Sequence, residues 1–97
     1  MDDYYTILNA LRYGDDLQYV RSDEQVEVGR IYAYKQNSKL TFRYVVSVST
    51  GHYRFRTMDR GTFKLHERVR IGRTSAMFRL CDRLHDQVIK YLHLQEI

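Results

Sequence analysis

Apolar residues recur with two different periods along this 97-residue chain, and the changes of period predict where helices and strands lie. Near the start the spacing is three and four, acids come first and Gly14 follows, which predicts a short amphipathic helix over residues 2–13. The same spacing returns after Thr74 and Ser75, either of which can cap a helix. It predicts a long amphipathic helix over residues 75–94. The apolar stripe of that helix consists of Met77, Leu80, Cys81, Leu84, Val88, Tyr91 and Leu92.

Between the two helices, β-favouring residues alternate with polar ones, and short polar or glycine-containing turns interrupt them. This pattern predicts four strands, over residues 26–34, 39–48, 53–58 and 62–71. Because the turns are short, consecutive strands are expected to pair in antiparallel fashion. The predicted fold is a single α+β domain over residues 1–97, in which a small antiparallel four-stranded sheet over about residues 26–71 is flanked by a short N-terminal and a long C-terminal helix.

The first predicted strand has a further feature, a glycine at a bend within the run Val26 to Tyr34. This run, with the short strands after it, is similar to the opening of many SH3-like small barrels. The resemblance covers about half of the chain. It implies that the sheet is curved and SH3-like, and it implies no particular function, because one fold carries many functions.

Charge is distributed very unevenly along the sequence. Residues 30–73 contain eleven Lys or Arg and only two acids, a net charge of +9, whereas residues 1–29 carry −5 and residues 74–97 carry none. The overall charge of +4 therefore conceals a polarised molecule. A basic surface of this kind is typical of proteins that bind a polyanion or an acidic partner.

Side-chain alternation predicts how the third and fourth strands pair around the turn Asp59-Arg60-Gly61. A three-residue loop pairs Arg56 with Lys64, and it gathers the bases on one face and the apolar residues on the other. A two-residue loop would mix the two sets, and each misplaced Phe or Leu would lose roughly 1.5–3 kcal/mol of burial. The three-residue loop is therefore predicted. Its basic face consists of Arg54, Arg56, Lys64, His66, Arg68 and Arg70, and its apolar face of Phe55, Phe63 and Leu65.

Nucleic acid is the first predicted ligand of this basic face, since Lys and Arg neutralise phosphates and tyrosine rings stack on unpaired bases. Two alternatives remain at this point. The bases are an ordinary solvated surface, or the acidic segment 15–27 folds over them and neutralises them. The predicted nucleic-acid-binding residues are Arg43, Arg54, Arg56, Arg60, Lys64, His66, Arg68 and Arg70, with Tyr32 and Tyr34 as stacking rings.

A protein partner is the second interpretation of the same basic patch. A small inhibitor or adaptor, of the kind that viruses and mobile elements encode, would dock the patch on an acidic surface of a larger protein. Neither interpretation requires an enzyme, a cofactor or a metal, because the four histidines and Cys81 lack zinc-site spacing. Cys81 and His85 are one helical turn apart, as a nucleophile and its base can be, but the place of Cys81 on the apolar stripe favours a core thiol. The single cysteine and the lack of a signal peptide or membrane-spanning stretch indicate a cytoplasmic protein without membrane contact.

The C-terminal helix carries more apolar residues than one sheet face needs. Core packing is one explanation, and a homodimer that buries the excess is the other. The predicted dimer residues are Phe78, His85, Ile89 and Leu94.

Overall fold

The computed structural model describes residues 3–11, 15–21, 26–37, 39–59, 61–73 and 77–95. This part of the chain forms two helices, α1 (Asp3–Ala10) and α2 (Asp82–Gln95), and six strands. The α+β class is confirmed. The predicted helix over residues 2–13 corresponds to α1, although Asp2 and residues 12–13 lie outside the described residues. The strands are β1 (Leu17–Tyr19), β2 (Ile31–Gln36), β3 (Lys39–Ser49), β4 (His52–Met58), β5 (Leu65–Gly72) and β6 (Met77–Leu80).

All six strands belong to one open antiparallel sheet, in the order β1-β6-β2-β3-β4-β5. The successive strands β2 to β5 are the four that the sequence predicts, and β6 returns to pair with β2, while β1 pairs with β6. The prediction of four strands is therefore corrected to six. Strands β1 and β6 are three and four residues long, which is too short for a period of two to be recognised in the sequence.

The predicted helix over residues 75–94 is wrong at its start, because Met77–Leu80 is strand β6 and α2 begins at Asp82. Met77 and Leu80 are buried at opposite faces of the sheet, in two different core clusters. A strand that is covered on both faces contributes apolar residues of both parities, so its sequence does not alternate. In this segment the resulting pattern happens to continue the three-and-four spacing of the helix that follows.

The sheet is buried on both faces. On the helix face, a cluster that includes Ile31, Phe42 and Leu80 packs against Ile7 of α1 and Val88 of α2. On the second face, a smaller cluster contains Tyr32, Val45, Tyr53, Phe55 and Met77 together with Val20 and Val26 from the acidic segment. The chain around residues 20 and 26 therefore covers part of the second face.

The chain between Val26 and Ile31 bends before it joins the sheet, so β2 begins five residues later than predicted. Gly29 has a φ of +84°, a conformation that favours glycine. Its N–H donates to the Val45 carbonyl at 2.8 Å, and Val26 lies buried beneath the second face. The bend lets this segment leave the sheet plane and cover that face.

The loop between β4 and β5 is longer than the predicted three residues, because β5 begins only at Leu65. Phe63 has a φ of +57°, which is unusual for a bulky residue, and its ring stacks on Tyr91 of α2 at 4.8 Å. That backbone conformation costs on the order of 1–3 kcal/mol. Burial of the ring returns about 1.5–3 kcal/mol, and the aromatic pair adds about 0.5–1.5 kcal/mol. Phe63 therefore lies in the loop and under the helix, not in the strand.

Candidate nucleic-acid interface

The observed pairing of β4 with β5 differs from the predicted register. Arg54 lies opposite Ile71, Phe55 opposite Arg70, and Met58 opposite Leu65, with a shift between Arg56 and Met58. Directly opposite residues in an antiparallel pair point to the same face. The predicted single basic face is therefore wrong. The prediction placed Phe63 inside the strand, whereas Phe63 lies in the loop before β5, so the residues after it pair differently with β4.

The bases of β4 and β5 instead lie on both sides of the sheet. Arg54 and Arg56 share the helix face with Ile71 and Val69, and Arg70 shares the second face with Phe55. Strand β5 is the last strand of the sheet, so side chains of both faces lie close to one edge. The positive charge of this region surrounds the edge and does not cover a flat face.

Five bases in this region are exposed, and none of them forms an ion pair with an acid among the described residues. We call this set the cationic edge. It consists of Arg54, Lys64, Arg68, Arg70 and Arg73. Arg73 was not singled out from the sequence, although the high positive charge of residues 30–73 includes it. Arg60, another predicted member, lies outside the described residues.

Acids of the N-terminal segment pair with bases elsewhere. Glu27 lies 3.9 Å from Arg30 and 4.0 Å from Arg79, and Asp16 lies 3.8 Å from Arg83. Within the described residues, these acids therefore neutralise bases near β6 and α2 and leave the cationic edge uncompensated. Residues 22–25 of the acidic segment lie outside the described part of the chain.

Arg56 and His66 form a small polar network at the start of β5. Arg56 Nε donates to the His66 carbonyl at 2.6 Å, and His66 Nε2 lies 3.2 Å from Asp59 Oδ1. The His66 and Asp59 side chains are each about half exposed. Both predicted residues thus have partners within the chain, and their contacts hold the irregular stretch of β5 against β4.

Arg43 occupies a more enclosed position on the second face. Its guanidinium carbon lies 3.5 Å from the ring centre of Tyr34 and 3.9 Å from that of Phe55, and its Nη1 donates to the Tyr53 hydroxyl at 2.7 Å. Cation–π contacts of this kind contribute about 0.5–2 kcal/mol each. Burial raises the pKa of Tyr53, and the charge and hydrogen bond of Arg43 oppose that rise. Arg43 therefore joins β2, β3 and β4, and much of its binding capacity is used within the chain.

The two predicted stacking tyrosines are placed differently. Tyr32 is 2% exposed, and its hydroxyl accepts the Glu27 N–H at 2.9 Å. Its ring therefore belongs to the core and is not available for the base stacking that the sequence predicted. Tyr34 is partly exposed, but the Arg43 guanidinium covers one face of its ring. Tyr32 is buried because residues 26 and 27 fold back over the second face, a bend that local alternation does not reveal.

The predicted dimer residues make contacts within the chain. Phe78 lies on β6, where it packs on the first core cluster and contacts Tyr19 edge to face at 5.5 Å between ring centres. Ile89 packs on the same cluster. Leu94 is in α2, and its side chain lies outside the described set.

His85, the remaining predicted dimer residue, connects α2 to the sheet. Its Nε2 accepts the backbone N–H of Ile31 at 3.0 Å, which requires the neutral ring. Burial lowers the pKa of His85, and the nearby Arg30 lowers it further, against the opposing carboxylates of Asp86 and Asp82. The backbone donor and the lowered pKa therefore favour the same neutral form.

In the part of the chain that the structure describes, no group of three or more His, Cys, Asp or Glu residues is placed to hold a metal ion. No described helix combines the length and the apolar character needed to cross a membrane. Comparisons with protein families, with curated proteins and with solved structures gave no match to this chain.

Proposed function

We propose that this chain is a small, non-enzymatic accessory or regulatory protein that binds nucleic acid through the cationic edge. One observation carries the proposal. Five exposed bases at one end of the sheet have no acidic partner among the described residues, whereas the acids Asp16 and Glu27 pair with bases elsewhere. A concentration of uncompensated positive charge attracts a polyanion and releases its counterions on binding.

The proposed contacts are to the phosphate backbone. Arg54 extends from the helix face and Arg70 from the second face of the same edge, so a backbone lying along β5 would meet charge from both sides. Contacts of this kind position a protein on a nucleic acid but do not read its bases. Binding is therefore expected to be strongly dependent on salt and weakly dependent on sequence.

Aromatic placement supports phosphate contacts over base stacking. Near the cationic edge, Tyr53 and Phe55 are buried, and Arg43 covers one face of the Tyr34 ring. The well-exposed Tyr19 lies on β1, at the other end of the sheet. A double helix, whose bases are already stacked, fits such a surface better than a single strand.

We also propose that the sheet is SH3-like and curved. The support for this is its strand order, in which β6 pairs with the first strand of the meander β2 to β5. In that arrangement the cationic edge lies along the last strand of the meander, β5, where a long ligand has lateral access.

Titration of a labelled duplex at low salt tests the proposed function. The variant Arg68→Glu/Arg70→Glu is expected to lose at least tenfold in affinity, because it replaces two positive charges of the edge by negative ones. The variant Lys39→Glu/Lys90→Glu is the matched control, since it changes the net charge by the same amount at two exposed positions, on β3 and α2, outside the cationic edge. Equal losses of affinity in the two variants would mean that binding depends only on the total charge, and they would contradict a defined interface.

A further inference from the structure

Strand β5 has a second property that the cations do not explain, an outer side with which no other strand pairs among the described residues. Five of its eight residues, Leu65 and Val69 to Gly72, pair with β4, and the carbonyl of His66 accepts the Arg56 side chain. Main-chain N–H and C=O groups on such an edge are available to an added strand.

The exposed side chains of β5 alternate in a way that suits an added strand. Val69 is 49% exposed and Ile71 is 64% exposed, and both lie on the helix face, beside Arg56 and Arg54 of β4. Arg70, between them in sequence, points to the second face. Charges on an edge strand often serve to prevent aggregation, but that role does not require exposed Val and Ile between them.

We propose that β5 accepts an extended acidic peptide segment of a partner protein as a seventh, edge strand. Apolar residues of the segment would contact Val69 and Ile71 on the helix face, and its acidic residues would face Arg70 on the second face. Main-chain hydrogen bonds supply affinity in this mode, and the alternating side chains supply specificity.

Charge favours an acidic partner over a second copy of this chain. Residues 64–73 carry four bases and one acid, so two β5 strands side by side would place net positive charge against net positive charge. An acidic strand in that position would gain attraction where a second copy meets repulsion. This proposal goes beyond nucleic-acid binding, because it depends on Val69, Ile71 and the main chain.

A pair of synthetic peptides tests the proposal on the full-length chain. The first is an acetylated and amidated octapeptide in which Glu and Val alternate, and the second has the same composition ordered as Glu-Glu-Val-Val repeated. The alternating peptide is expected to bind at least tenfold more tightly, because only it separates charge and apolar groups onto two faces of a strand. Equal affinities, or no measurable binding of the alternating peptide, would overturn the proposal.

The variant Val69→Thr/Ile71→Thr identifies the surface. Threonine keeps the β-propensity of both exposed positions and removes their apolar contact area, so circular dichroism should be unchanged. Affinity for the alternating peptide should fall about tenfold, whereas affinity for duplex nucleic acid should stay within about twofold. Unchanged peptide affinity would overturn the strand-addition proposal and leave the nucleic-acid proposal standing. Backbone N-methylation tests the main-chain pairing, because alternate N–H groups of an added strand point toward β5 and away from it. Methylation of either the odd or the even peptide residues should abolish binding, and methylation of the other set should be tolerated. Tolerance of both sets would overturn main-chain pairing.

Discussion

Phe55 of β4 and Arg70 of β5 lie directly opposite each other on the second face of the sheet. The pairing places Arg54 and Arg56 on the other face, beside Ile71 and Val69. The basic residues of the two strands therefore flank the outer edge of the sheet from both sides. A polyanion that lies along this edge meets positive charge above and below, and an added strand meets apolar residues on one side and charge on the other.

Gly72 is expected to tolerate no side chain, because it lies opposite the buried Tyr53. A Cβ at this position would lie 2.9 Å from Tyr53 Cζ and from its hydroxyl oxygen, and 3.0 Å from Phe55. Gly72→Ala should therefore destabilise the fold by about 1–3 kcal/mol, as overpacking of a core does. Denaturant unfolding measures the effect, and Arg73→Ala at the neighbouring exposed position is the control. A stability equal to that of the control would show that β5 does not approach Tyr53 this closely.

Arg43 is expected to act on stability more than on binding, because its guanidinium is held between Tyr34 and Phe55 and bonds Tyr53. Arg43→Lys keeps the charge but loses the planar stack and its directed hydrogen bond. We expect a loss of about 1–2 kcal/mol in the free energy of unfolding and a change of less than about twofold in duplex affinity at low salt. A large loss of affinity at unchanged stability would instead place Arg43 in the interface.

The folded state is expected to lose stability as the pH falls below the ordinary His pKa of 6.5, because burial lowers the pKa of His85 and its ring must remain neutral to accept the Ile31 N–H. The unfolded chain binds this proton more readily than the folded one, so this contribution is fully present above pH 6.5 and declines on acidification. The surrounding charges also act on the pKa of His85. Arg30 and Arg79 lower it further, and the carboxylates of Asp86 and Asp82 raise it.

Unfolding free energies measured between pH 8 and pH 5 check this expectation. His85→Gln offers a neutral acceptor to the Ile31 N–H and should flatten the dependence. His85→Ala should cost about 1–3 kcal/mol at pH 8, because it leaves a buried N–H without an acceptor. A pH dependence unaltered by His85→Gln would assign the effect to other groups.

The contact between Phe63 and Tyr91 is expected to hold the β4–β5 loop against α2, since the two rings stack at 4.8 Å with an interplanar angle of 19°. A double-mutant cycle with Phe63→Leu and Tyr91→Leu should give a coupling energy of about 0.5–1.5 kcal/mol. Additive effects of the two substitutions would mean that the rings do not stabilise each other and that another contact keeps Phe63 out of the strand.

The sequence predicts an element well where its pattern extends over enough residues and turn residues separate it from the next element. Helix α1 and strands β2 to β5 are each at least six residues long, and they are recognisable although β2, β3 and β4 have buried residues on both faces. Strand β6 has only four residues and is also covered on both faces, so its apolar residues extend the apparent stripe of α2. The pattern of a single segment does not reveal whether one face or both will be covered.

The candidate site is predictable in its charge but not in its geometry. The excess of bases in residues 30–73 is visible in the sequence, and five of them form the cationic edge. Their division between two faces depends on the position of Phe63, which is set by its contact with Tyr91, 28 positions later in the chain. The burial of Tyr32 likewise depends on a bend at Gly29.

The salt dependence of duplex binding tests the central claim most directly. Each phosphate contact that a cation makes adds about 0.9 to the slope of log affinity against log salt. The neutralised variant Arg68→Gln/Arg70→Gln should therefore bind more weakly, with a slope about two units shallower than that of the wild type. The control Lys39→Gln/Lys90→Gln, at two exposed positions outside the cationic edge, should keep the wild-type slope. An identical slope in all three proteins, or no binding by the wild type at low salt, would contradict nucleic-acid binding through the cationic edge.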